Sequence, residues 1–192
     1  MRDARGHIAA LTRTASLALL ALAAVGCASG PPPRYVIERD LGTFAYRRYQ
    51  KSFDIEVPIA GNQATGHTAS YLQRNPSRDV EVATAFVTVY THARSLAAEV
   101  RAALQKLGGY TLTPSEVAAE WVWVLEAPGR ERWCVWVSGA RLVKLGAQAG
   151  RPFPDVIVRA YLDLYPSDLD ERGLARPDAE SAGPAQQAAE PD

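Results

Sequence analysis

Apolar and polar positions alternate with period two in Phe53-Asp54-Ile55-Glu56-Val57 and more loosely in Phe44-Ala45-Tyr46-Arg47-Arg48-Tyr49. That is the mark of strands with one wet face. Pro58 limits further ladder pairing. The stretch from Gly61 to Asp79 is polar and carries Gly61, Asn62, Gly66, Asn75 and Pro76, which predicts a long loop with a short element at Thr68 to Gln73. Val80 to Tyr90 is rich in Val, Thr, Phe and Tyr and apolar at successive positions from Phe86, as expected of a central strand covered on both sides.

The period then changes. Leu96, Val100, Ala103, Leu104 and Leu107 form one stripe of a helix from Ser95 to Leu107, and Gly108-Gly109 stops it. Thr113-Pro114-Ser115-Glu116 has the form of a capping box with proline at the first helical position, predicting a short helix through about Ala119; a bent strand running into Glu120 is the competing reading. Trp121 to Glu126 and Arg132 to Val137 read as a hairpin around Ala127-Pro128-Gly129-Arg130, and Ser138-Gly139 turns the chain into Ala140 to Leu145. After a glycine- and proline-bearing loop, Ile157, Ala160, Tyr161 and Leu164 share one side of a helix from Val156 to Leu164 that Pro166 ends. The expected fold is α+β: one domain of mostly antiparallel sheet with two or three helices packed against it.

Near the N-terminus, Arg2, Arg5 and Arg13 precede an apolar stretch from Ala15 to Val25. Its length of about eleven residues suits the apolar region of a secretory signal and is too short to span a bilayer. The quartet Ala24-Val25-Gly26-Cys27 that follows resembles the lipobox of bacterial lipoprotein precursors. The resemblance implies cleavage before Cys27, diacylglycerol on its sulfur and a third acyl chain on the new amine. Two or three chains make such attachment persistent. An ordinary secretory signal cleaved after Ala28 is the alternative. Ala28 stands where an aspartate signals inner-membrane retention in Gram-negative lipoproteins, so by analogy the outer membrane is expected.

The expected organisation is therefore a signal peptide over 1–26, the lipidated cysteine with a Gly/Pro spacer over 27–34, a globular body over 35–169, and an acidic disordered tail over 170–192. Basic and acidic residues balance at 21 each, and no Lys/Arg block marks a nucleic-acid footprint, so no nucleic-acid partner is expected.

Candidate chemistry is thin. With Cys27 acylated, Cys134 has no intramolecular partner, and its apolar surroundings in Trp133-Cys134-Val135-Trp136 suit a buried thiol. Of three histidines, His7 leaves with the signal; His67, placed in the long glycine-bearing loop, is the better functional candidate, and His92 follows a strand. No metal-ligand spacing, nucleophile elbow or phosphate loop occurs, so no metal and no cofactor are expected. Four tryptophans fall on the hairpin, with Trp121 and Trp123 on one side of their strand and Trp133 and Trp136 on opposite sides of theirs. Trp121 and Trp123, with His67, are the candidate contacts for a ligand or partner. These observations lead to a lipid-anchored, non-enzymatic envelope protein that binds another envelope protein or a cell-wall component or supports an assembly. The alternative is an anchored hydrolase, or an accessory to one, using His67 in a loop cleft.

Overall fold

The computed structural model describes residues 34–53, 55–74, 80–147 and 152–177. Cys27, its spacer as far as residue 33 and the signal-like segment lie outside the described residues. Among the described residues, seven strands form one antiparallel sheet: β1 (Ala45–Ser52), β2 (Ala64–Arg74), β3 (Val80–Tyr90), β4 (Thr111–Val117), β5 (Glu120–Glu126), β6 (Arg132–Ser138) and β7 (Arg141–Ala147). Helix α1 (Leu96–Gln105) lies between β3 and β4, and α2 (Asp155–Leu164) follows β7. Strand order is β1-β2-β3-β7-β6-β5-β4. Two meanders, one before α1 and one after it, thus meet where β3 pairs with β7. The fold is α+β, and richer in sheet than the sequence pattern indicates.

Both helices form where their apolar stripes lie. α1 buries Leu96, Ala97, Val100 and Leu104, and α2 buries Ile157, Val158, Tyr161 and Leu162. They cover opposite faces of the sheet. Residues paired across the strands share a face, and neighbours in sequence take opposite faces. One row runs Ala69, Ala85, Leu145, Cys134. It belongs with Tyr71, whose hydroxyl meets that of Tyr161 on α2. The next row runs Gln50, Thr68, Phe86, Lys144, Val135, and it looks toward the side where α1 lies.

Four expectations are corrected. Most of the stretch read as a loop over 61–79 is strand β2; residues 75–79 lie outside the described residues. Its alternation is hidden because the buried positions are His67, Ala69 and Tyr71, not aliphatic residues, while Gly66, Thr68 and Ser70 face the other way. Second, the described residues of 53–57 form no strand. Phe53 is exposed, Val57 is buried, and the Val57 carbonyl accepts the Tyr90 hydroxyl at 2.7 Å, so 55–59 crosses over the sheet as a strap instead of joining it.

Third, the apparent capping box is strand β4. As the outermost strand, β4 has only β5 as a neighbour, so the missing N–H of Pro114 can face outward. The competing reading, a bent strand into Glu120, is closer: Ala118 and Ala119, with φ of 54° and 68°, make a two-residue turn of the I′ kind into β5.

Fourth, the folded body runs past Leu169, so 170–177 is not part of a disordered tail. Gly173 packs on the Trp123 ring, with φ of 67°; a Cβ there would sit 2.6 Å from the indole nitrogen. Leu169 bridges Ala175, and the Arg176 guanidinium reaches the Leu169 carbonyl at 3.1 Å and Glu120 at 2.9 Å. Asp170 accepts the Leu174 and Arg172 backbone N–H groups, which hold its carboxyl below the ordinary range, the Leu174 bond foremost. The segment docks through glycine, backbone carbonyls and one arginine, none of which an apolar pattern reveals.

Candidate binding groove

Helix α1 does not cover its whole face of the sheet. It leaves a groove of about 710 Å³. Concavities of roughly 300–1,000 Å³ are the usual size of small-ligand sites. One side of the groove is the β1–β3 surface with Gln50, Thr68, Ser70, Thr84 and Thr88; the other is apolar, with Leu104 and Leu107 of α1, Tyr110 and Leu125. Ile55, Glu56 and Val57 of the strap also line it.

Lys144 of β7 stands in the middle. Its ammonium lies 4.0 Å from the centroid of the Trp133 ring and 4.6 Å from that of Phe86. The two rings contact each other edge to face at 5.7 Å. A cation held against ring faces and away from water gains from their quadrupoles. The Glu56 carboxylate completes the enclosure with a close ion pair to Lys144. Trp133 can lie this low because its partner across the ladder is Gly146, where a Cβ would meet the ring at 2.5 Å.

The opposite face is sealed. The Tyr71 hydroxyl donates to the Ile37 carbonyl at 2.7 Å, and the Ile37 N–H donates to the Tyr161 hydroxyl at 3.1 Å. The two hydroxyl oxygens are 2.8 Å apart, so Tyr161 donating to Tyr71 closes a circuit joining β2, α2 and the segment before β1. Burial pushes Tyr161 up to about 12 and raises Tyr71 further, so both stay neutral.

His67 belongs to this sealed face and not to a loop cleft. It sits within β2, 6% exposed, with the Tyr35 ring centred 4.8 Å away and the Tyr49 hydroxyl 3.0 Å from Nδ1. Burial, and then the charge of Lys51, lowers its pKa. A neutral ring protonated on Nε2 accepts the Tyr49 hydroxyl at Nδ1. The ring is packed as a core side chain, and His67 is also among the residues that line the groove.

The two tryptophans singled out as contacts are also inside. Trp123 is fully buried, with its indole N–H donating to the Gly173 carbonyl at 3.2 Å. Trp121 is half-buried against the core, and its carbonyl accepts the Ser167 hydroxyl. Trp133 and Trp136 do point opposite ways: Trp133 lines the groove, while the Trp136 indole donates to the Tyr165 carbonyl at 2.7 Å at the end of α2. Cys134 is fully buried on the α2 face, and burial pushes its thiol up to about 12.

Lys144, Glu56, Phe86 and Trp133 escape sequence reasoning. Only the registers that set Phe86 opposite Lys144 and Trp133 opposite Gly146 bring them together. Among the described residues no group of three His, Cys, Asp or Glu side chains is placed to hold a metal ion, and no helix is long and apolar enough to cross a membrane. No family model matches the chain, and neither a curated protein nor a solved structure matches it.

Proposed function

We propose that this is a lipid-anchored bacterial envelope protein whose α+β body acts by binding, through the groove that α1 leaves open. The groove carries this reading: a concave surface of ligand size, hydroxyl-lined on one side and apolar on the other, with a single ammonium between two aromatic rings. His67 and Cys134, which could do chemistry, have their side chains packed among core residues and held neutral. The anchor rests on Ala24-Val25-Gly26-Cys27, and Ala28 favours the outer membrane. Another envelope component is the expected ligand.

Two experiments test this. Metabolic labelling with a fatty-acid analogue should mark the wild type and not Cys27→Ser, which lacks the thiol that receives the acyl chain; equal labelling would end the lipoprotein reading. For the groove, Thr88→Trp fills the hydroxyl-lined side. Material that co-purifies with the wild type from detergent-solubilised membranes should be absent from this variant. Equal recovery from both would place binding elsewhere.

A further inference from the structure

Within the groove, the strap over 55–59 supplies an acid from the chain itself. Tyr90 anchors it at the Val57 carbonyl, and Glu56 reaches down to Lys144. The two partners are unequally placed: the Lys144 side chain is 14% exposed and that of Glu56 is 58% exposed. The ammonium is thus a fixed part of the groove wall, whereas the carboxylate approaches from the solvent side and can leave without uncovering core. A desolvated ammonium between two rings needs an anion, and a carboxylate already fits there in both charge and size. Next to this head position lies the apolar wall of Leu104, Leu107 and Tyr110, where Leu107 is 43% exposed among the described residues.

We infer that the groove takes an amphiphilic carboxylate whose head replaces Glu56 on Lys144 and whose hydrocarbon body runs along Leu104, Leu107 and Tyr110. This rests on the groove being the binding site. Glu56 then acts as a resident competitor: it satisfies Lys144 while the groove is empty and swings to solvent when ligand enters. Charge complementarity selects the head, and the exposed leucine wall selects the body. An alcohol of the same length gains the wall without the ion pair. A cationic amphiphile meets Lys144 as a like charge.

The test is calorimetric titration of the full chain carrying Cys27→Ser, which removes the acylation site, using octanoate, octanol and octylammonium below their aggregation limits. Octanoate should bind about tenfold more tightly than octanol, the ratio for one charge-assisted contact of about 1.4 kcal/mol. Octylammonium should be weakest. Glu56→Gln should tighten octanoate several-fold and leave octanol unchanged, because the binding-competent fraction rises. Lys144→Met, which keeps an unbranched side chain against the rings, should bring octanoate down to octanol. Equal affinities for octanoate and octanol in the unsubstituted groove, or weaker octanoate binding by Glu56→Gln, would overturn the inference. If both ligands bind equally and Thr88→Trp blocks both, the carboxylate preference fails while the groove remains a binding site. If none binds and Thr88→Trp retains the co-purifying material, both readings fail.

Discussion

Two rows of the same sheet, one residue out of phase, have opposite fates. Ala69, Ala85, Leu145 and Cys134 face α2 and are 0–1% exposed, while on the α1 side Thr68, Phe86 and Lys144 remain half-buried and the row becomes fully buried only at Val135. On the α2 face, small side chains let the helix and the segment before β1 come close, and a tyrosine circuit satisfies the polar groups enclosed there. On the α1 face, a helix of ten residues covers only part of a seven-stranded sheet. The remainder stays wettable through threonine and serine, and its Lys144 ammonium is held by rings and a strap carboxylate. Stability is concentrated on one face and adaptability on the other.

The largest test of this contrast is Tyr161→Asp, which puts a charge inside the sealed layer and breaks the hydroxyl circuit. It should cost about 3–5 kcal/mol, enough to unfold a marginal domain. Tyr161→Phe, which removes only the hydroxyl, should cost about 1–2 kcal/mol. Chemical denaturation measures both, and a near-native midpoint for the aspartate variant would show that the layer is not sealed.

On the other face, Gly146→Ala forces the Trp133 ring away from β7, because the added carbon would lie 2.5 Å from it. Overpacking of this kind costs about 1–3 kcal/mol. The ring's displacement should also loosen Lys144, so ligand binding should fall together with the melting temperature. If the melt drops while binding is unchanged, Trp133 is a packing residue alone.

A change at the sheet edge belongs to neither face and calibrates them. Ala118 and Ala119 both occupy left-handed backbone, which alanine tolerates poorly. Replacing the pair with Asn-Gly, the preferred residues for this turn, should raise stability by about 1–2 kcal/mol and leave ligand binding untouched.

The smallest effect is expected from His67. Its folded pKa lies below its unfolded value, with burial as the first cause and Lys51 as the second. Above the unfolded value of about 6.5, both states are neutral and the stability is fully present. As pH falls below that value the unfolded chain takes up the proton first, so stability declines through the folded pKa. His67→Gln should flatten that part of the decline in melting temperature between about pH 7 and 5. An unchanged slope would assign the acid sensitivity to other groups.

Elements were legible where a stripe was both apolar and regular. Leu96, Val100 and Leu104, and likewise Ile157 and Tyr161, placed α1 and α2 within a residue or two. The runs of Val and Trp placed β5 and β6. β2 was hidden, since a strand whose open face carries Gly66, Thr68 and Ser70 and whose covered face carries His67 and Ala69 has no strong contrast between its faces. Thr113 to Glu116 satisfied a helix-capping pattern, and pairing with β5 overrode it. His67, chosen for its glycine-bearing neighbourhood, went into the core for the same reason that β2 was missed.

The sequence by itself determined the class of fold, both helices and the β5–β7 part of the second meander, because each of these is written in local periodicity or in contiguous residues. Only tertiary structure decided where the two meanders join, how far the chain stays packed beyond Leu169, and which face remains open. The groove belongs to that second kind. Glu56, Phe86, Trp133 and Lys144 are separated by up to 88 positions, and strand register, a property of pairs of segments and not of any one of them, is what sets them side by side.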